Sequence, residues 1–112
     1  MAESKLRELS MDFAVAVIKL CDQMKGHRSL VNQLERSATS IGANIHEANY
    51  AHGRADFIAK LQIAQKEASE TLYWLDMIYS GEYISERLYR SFGVECRELL
   101  AMLAASIKTA CR

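Results

Sequence analysis

The apolar residues of this chain recur at intervals of three and four in four successive segments. This spacing places them along one side of an α-helix, as is typical of a helix that packs on a core. The segments predict helices over about 4–25, 29–50, 54–79 and 85–110. Their apolar stripes consist of Leu6, Leu9, Phe13, Ala16, Val17, Leu20 and Met24; of Leu30, Leu34, Ala38, Ile41, Ile45 and Ala48; of Phe57, Leu61, Ala64, Ala68, Leu72, Leu75 and Ile78; and of Leu88, Phe92, Cys96, Leu99, Leu103 and Ile107.

Glycines mark the breaks between the segments, at Gly26, Gly53 and Gly81. Ser29 and Ser85 follow two of these breaks, where a hydroxyl can cap the first turn of a helix. The links are short, and short links force consecutive helices to lie antiparallel as neighbours. We therefore predict an all-α fold with residues 1–112 in a single domain, an up-down-up-down antiparallel four-helix bundle.

A run of small residues, Ser37 to Ala43, lies within the second segment. Serine, threonine and glycine are mediocre helix formers, and Gly42 alone costs about 1 kcal/mol relative to alanine. Because small side chains let a neighbouring helix approach closely, we interpret the run as a tight packing site. A loop is the alternative, although the apolar stripe continues through the run.

Polar residues follow a second side of the two central helices. If these helices fold antiparallel about Gly53, residues of opposite charge lie level with each other at both ends of this polar side. The residues that lie at the same height are Arg36 and Glu70, Ser40 and Glu67, and Glu47 and Lys60. The set, which we call the polar seam, consists of Arg36, Ser40, Asn44, Glu47, Lys60, Glu67, Glu70 and Trp74. It is either a solvated charged face or part of a subunit interface, where arginine and aromatic residues are enriched.

The charge balance argues against strong non-specific binding to nucleic acid or to an anionic membrane, because the chain has 14 basic and 14 acidic residues. The three cysteines are widely spaced, which favours a reducing, cytoplasmic compartment with Cys21 and Cys96 as core residues. The longest apolar run, Phe13 to Ile18, is too short to span a bilayer. We also expect no signal peptide.

Motifs for catalysis or metal binding do not emerge from the sequence. His46 and His52 are six residues apart and do not share a helical face. Glu67 and Glu70 are paired carboxylates, but the Glu-x-x-His motif of di-iron bundles does not occur. We find no nucleophile motif and no glycine-rich phosphate loop. The sequence therefore predicts a protein that is not an enzyme and that uses no cofactor and no metal.

The fourth helix holds the best candidates for contact with nucleic acid. Arg87, Arg90 and Arg97 lie there with Tyr89, and Arg90 and Arg97 share a face. Glutamates are interleaved with them, which weakens any surface that would track phosphates. A mixed charged surface is the favoured interpretation, and a nucleic-acid contact is the alternative.

The two central helices also resemble a known family. The second reads QLERSATSIGANIHEA over residues 33–48, and the third continues with DF at 56–57, LQIA at 61–64, EASET at 67–71 and YWL at 73–75. These motifs resemble the signature of the bacterial four-helix-bundle proteins encoded in 23S rRNA intervening sequences. The likeness extends over nearly the whole chain in length and helix order, and it is most specific in these two helices.

The resemblance extends to the accessory protein of diversity-generating retroelements, which forms a barrel-like homopentamer and binds a reverse transcriptase and nucleic acid. It therefore implies a homo-oligomer, with a pentamer as the expected size. That accessory protein is strongly basic, whereas this chain is neutral. We expect a non-enzymatic scaffold or adaptor associated with RNA or ribosome-related particles. Direct RNA binding, in a ribosome- or retroelement-associated role, is the alternative.

Overall fold

The computed structural model describes residues 2–112, which form four helices. Helix α1 is Ala2–Gln23, α2 is Arg28–Ala48, α3 is Arg54–Ser80 and α4 is Glu86–Ala110. Each helix packs on its neighbours in the chain, and α4 closes the bundle against α1. The bundle is 43 Å long and 19 to 21 Å across. The predicted all-α, up-down-up-down four-helix bundle is confirmed.

The core is built mostly from the predicted apolar stripes, and it also includes Val31 and Ile84. Eight stripe residues are only half-buried at its margin: Leu9, Ala16, Met24, Leu30, Phe57, Leu72, Leu88 and Ile107. Fully buried leucine, isoleucine, valine and phenylalanine side chains from all four helices meet along the bundle axis, and each stabilises the fold by about 1.5–3 kcal/mol. The Phe13 and Phe92 rings meet edge to face, with 6.2 Å between their centroids. Cys21 and Cys96 are buried in this core, as predicted, and Cys111 is exposed.

The predicted cap of α2 is wrong, whereas that of α4 is confirmed. Gly26 and His27 have left-handed φ values of 83° and 49°, so the chain turns there and α2 begins at Arg28, with His27 as its N-cap residue. Ser29 therefore lies inside the first turn. Ser85 caps α4, because its hydroxyl oxygen accepts the Leu88 N–H at 3.2 Å.

The small residues of α2 lie within a continuous helix, so the loop alternative is wrong. A Cβ at Gly42 would lie 3.3 Å from Ser10 Oγ, which shows how closely α1 approaches at this point. On the opposite side of α2, the buried Ser37 hydroxyl lies 2.9 Å from the Thr71 hydroxyl on α3. The run therefore allows close packing with both neighbouring helices.

Candidate interaction surface

The upper end of the polar seam, near the start of α2, is a cluster of four side chains. The Arg36 guanidinium forms an ion pair with Glu70, and it lies 3.7 Å from Glu67. Trp74 Nε1 donates to Glu70 Oε1 at 3.3 Å. One arginine thus faces two carboxylates, with an aromatic side chain beside them.

Glu67 is the most buried member of this cluster. Its side chain is 13% exposed, and its Oε1 atom is buried without a hydrogen-bond partner. Beneath it, the Thr71 hydroxyl lies 2.8 Å from the Glu67 carbonyl oxygen, and Ser37 donates to the Leu34 carbonyl at 3.2 Å. Electrostatic attraction to Arg36 therefore provides the main compensation for burying this carboxylate.

The lower end of the seam contains the second predicted pair, with Lys60 Nζ 3.3 Å from Glu47 Oε1. Between the two ends, Ser40 and Asn44 bond within their own helix. Ser40 Oγ donates to the Arg36 carbonyl at 2.7 Å, and Asn44 Nδ2 donates to the Ser40 carbonyl at 2.8 Å. The structure thus joins α2 and α3 through side-chain charges at both ends, but it does not join Ser40 to the Glu67 carboxylate.

The exposure of these ion pairs limits their effect on stability. The Arg36 side chain is 51% exposed, and that of Glu47 is 57% exposed. An exposed pair such as Lys60–Glu47 contributes about 0–1 kcal/mol. Loss of Arg36 would cost more, because it would also leave the buried Oε1 of Glu67 without its cation. The seam also contains three carboxylates and two cations, which leaves it one negative charge in excess. Its geometry is suited to setting the register of α2 on α3 and to accepting a further cation.

An apolar groove runs between α1 and α2 and was not predicted from the sequence. Three side chains of α1, which we call the α1 stripe, line it: Met11, Val15 and Ile18 are 63%, 42% and 37% exposed. The small residues Ala14, Thr39, Gly42 and Ala43 line it as well, and polar side chains border it, namely Arg7, His46 and Glu47. The spacings of four and three between the stripe residues could have indicated a second apolar side of α1. The core-facing stripe of the same helix has more apolar residues, however, and it dominates the periodicity of the sequence.

Two of the α4 arginines, Arg90 and Arg97, contact residues of their own helix. Arg90 Nε lies 2.7 Å from Glu86 Oε2, one turn away. The Arg97 guanidinium lies over Gly93, 3.0 Å from where a Cβ would be. Tyr89 donates to Asp76 at 2.6 Å; this bond raises the pKa of Tyr89, and burial adds to the shift, while Arg97 opposes it. The Tyr89–Asp76 hydrogen bond joins α4 to α3, and the ion pair with Glu86 occupies the charge of Arg90.

His46 and His52, the histidines considered as metal ligands, do not lie together in a metal-binding cluster. The His46 ring lies beside that of Tyr50, tilted by 56° with 5.3 Å between the ring centroids. The backbone N–H of His52 donates to Asp56 at 3.0 Å. Within residues 2–112, no group of three or more histidine, cysteine, aspartate or glutamate side chains has a metal-binding arrangement. In the same range, no helix is long and apolar enough to cross a membrane.

Comparison with known proteins places this bundle in a family. The family model described as 23S rRNA-intervening sequence protein matches residues 2–105. The chain belongs to this family. It is also similar to a crystal structure at 1.70 Å resolution of a protein with unknown function from the S23 ribosomal protein family of Bacteroides thetaiotaomicron VPI-5482. The two are 40% identical over 96% of this chain and 99% of that chain, with a TM-score of 0.92.

The match agrees with the resemblance in residues 33–48 and 56–75, and the family prediction is confirmed. A comparison with curated proteins finds no match. The family's description names the 23S rRNA-intervening sequence, and the related Bacteroides protein is of unknown function. The molecular role of this family member must therefore be argued from its surfaces.

Proposed function

We propose that this protein is a non-enzymatic scaffold or adaptor that acts through self-association in the cytoplasm. The α1 stripe is the observation that carries the proposal. Three apolar side chains in a row, more than one-third exposed, line a groove together with the small residues Ala14, Gly42 and Ala43. Contiguous exposed apolar surface of this kind marks sites of protein–protein contact, whereas single exposed apolar residues do not.

The polar seam supports the same proposal. It borders the groove across α2, and its upper end combines arginine, tryptophan and carboxylates, the polar and aromatic side chains typical of an interface rim. Its excess negative charge is suited to a cation from a second chain. A pentamer is the assembly size that we propose, by analogy with the retroelement accessory protein.

Light scattering of a matched pair of variants tests the proposal. Met11→Lys places a charge in the groove, and we expect it to reduce the assembly to smaller species, because a buried unpaired charge strongly disfavours an interface. Val94→Lys makes a similar change at a 57% exposed position on α4, and it should retain the wild-type mass. Equal masses for wild type, Met11→Lys and Val94→Lys would contradict a role of the groove.

Direct RNA binding is the second candidate, because the family is named after a 23S rRNA-intervening sequence. The surface for it would be Arg87, Arg90 and Arg97 on α4. Fluorescence anisotropy with a labelled rRNA hairpin tests it as salt is raised, since phosphate-driven binding weakens steeply with salt. Binding at low salt that is lost in Arg87→Glu would favour this candidate. An anisotropy that does not rise when the protein is added, even at low salt, would eliminate it.

A further inference from the structure

The groove between α1 and α2 is polar at one end and apolar along the rest of its length. Its volume is about 530 Å³, within the range of roughly 300–1,000 Å³ that is typical of small-molecule sites. The α1 stripe runs along the apolar part, and Arg7 lies one turn before Met11 at the polar end. Ser10 packs on Gly42, which places His46 on α2 at nearly the same height as Arg7. We call this the arginine end of the groove.

The charge of Arg7 is not compensated within the bundle. Among residues 4–112, whose side chains the structure describes, no carboxylate forms an ion pair with its guanidinium. Its partners are neutral: the Ser4 hydroxyl lies 3.5 Å from Nη2, and the Asn49 side-chain oxygen, turned to accept, lies 2.8 Å from Nη1 and 3.2 Å from Nε. Since a guanidinium has five N–H donors, two remain for an anion in the groove.

The acidic side chains around the groove favour one orientation of an anionic ligand. Glu47 lines the groove at the arginine end, but Lys60 Nζ lies 3.3 Å from its Oε1 and offsets its charge. At the opposite end, Glu35 and Asp22 lie near Cys21, where their charges add to the rise in the thiol pKa that burial causes. A negative head group is therefore attracted to the arginine end and repelled from the other.

The length of the α1 stripe indicates the length of the apolar tail. From Met11 to Ile18 the helix rises by about 10 Å, at about 1.5 Å per residue. An extended aliphatic chain gains roughly 1.3 Å per carbon from bonds of about 1.5 Å, so about eight carbons cover the stripe. Arg7 lies about 6 Å beyond Met11, within reach of a head group at the end of such a tail.

From this arrangement, we propose that the groove binds a free aliphatic monocarboxylate of about eight to ten carbons, with its carboxylate at Arg7 and its tail along the α1 stripe. The binding site stands on the geometry of the groove alone. Its regulatory consequence, competition between the carboxylate and a second chain, rests on the self-association proposed above. A ligand that binds only an open groove shifts the equilibrium towards dissociated chains by mass action.

Methyl NMR with octanoate, octanol and octylamine separates the head group from the tail. The three probes have the same chain length and carry a negative charge, no charge and a positive charge at neutral pH. The methyl signal of Met11, which lines the groove, should shift on binding. That of Met77 should not, because α3 does not contact α1 in the described residues. We expect octanoate to bind about two- to fivefold more tightly than octanol, and octylamine to bind most weakly.

Arg7→Gln and Lys5→Gln form a matched pair of variants, because Lys5 is an exposed cation on α1 that does not line the groove. Arg7→Gln should weaken octanoate binding about two- to fivefold and leave octanol binding unchanged. Lys5→Gln should leave both unchanged. Equal wild-type affinities for octanoate and octanol, tighter binding of octylamine, or equal effects of the two substitutions would overturn the assigned carboxylate site.

Light scattering during the same octanoate titration separates the ligand site from the proposed self-association. A Met11 shift with a falling mass supports both. A Met11 shift at constant mass supports the ligand site and contradicts self-association through the groove. No Met11 shift at octanoate concentrations just below micelle formation would overturn the ligand site, whether the wild type is assembled or monomeric, because a groove that stays closed is not a ligand site. The mass of the chain without octanoate tests self-association separately.

Discussion

Glu67 shows how a single residue connects the core with the surface. Its carbonyl oxygen accepts from the buried Thr71 hydroxyl, which also contacts Ser37, and its carboxylate lies 3.7 Å from the Arg36 guanidinium. A buried carboxylate oxygen without a hydrogen bond depends on that cation. The Lys60–Glu47 pair at the other end is more exposed. Two ion pairs that look equivalent in the sequence therefore differ in their contribution to the free energy of unfolding.

Replacing each cation separately measures this difference. Arg36→Met should lower the free energy of unfolding by about 1–3 kcal/mol, because it leaves the Glu67 carboxylate buried and unpaired. Lys60→Met should cost less than about 1 kcal/mol, as for an exposed pair. Urea denaturation gives both values. Adding Glu67→Gln to Arg36→Met should restore part of the loss, and equal costs for the two single variants would contradict the assigned role of Glu67.

The cysteines differ in reactivity for a similar reason. Burial raises the pKa of Cys21 from 9.0 to about 11, with Glu35 and Asp22 adding to the shift, and burial raises the pKa of Cys96 from 9.0 to about 12. At pH 8 we expect Ellman's reagent to modify Cys111 alone in the folded protein and all three thiols in urea. Rapid modification of three thiols without denaturant would contradict the described core.

The pH dependence of stability follows from the same shifts. Because the fold disfavours the two buried thiolates, the neutral thiols contribute stability below pH 9. That contribution decreases as the pH rises from 9 through 11 and 12, since the unfolded chain ionises first. We expect the free energy of unfolding to fall over this range, and to fall less steeply in a Cys21→Ala, Cys96→Ala variant.

At the scale of helices, local sequence predicted most of the architecture. The glycine breaks and the apolar spacing predicted four helices and their neighbours, because both signals depend on short-range geometry. The start of α2 could not be predicted in the same way: the left-handed conformation of His27, beside Gly26, ends the turn early and places Ser29 inside the helix. Only a few per cent of non-glycine residues adopt this conformation, although histidine is among the types enriched there, so the spacing of apolar residues does not reveal it.

Serine substitutions separate a capping residue from an ordinary helical one. Ser85→Ala should lower the free energy of unfolding by about 1 kcal/mol, because it removes the acceptor for the Leu88 N–H. Ser29→Ala should change it by less than about 0.5 kcal/mol, as for an exposed residue away from a cap. Thermal or urea unfolding provides the comparison. A larger loss for Ser29→Ala would favour the predicted cap over the described one.

At the scale of the whole molecule, surface charge and surface apolarity point to different partners. A net charge of zero and the ion pair of Arg90 with Glu86 disfavour a phosphate-binding face. The α1 stripe instead favours contact with protein. The polar seam could be placed from the sequence because antiparallel levels are simple to count. The groove could not, because it depends on which side chains a neighbouring helix leaves uncovered.

Self-association is the central claim, and the mass of the unmodified chain in solution tests it most directly. Sedimentation equilibrium over a range of micromolar concentrations measures this mass without a label or a surface. One chain has a mass of 12.6 kDa, and the proposed pentamer, five such chains, would have about five times this mass, near 63 kDa. We predict a stable species of several chains, with five as the expected number. A mass of 12.6 kDa at every concentration would contradict the account.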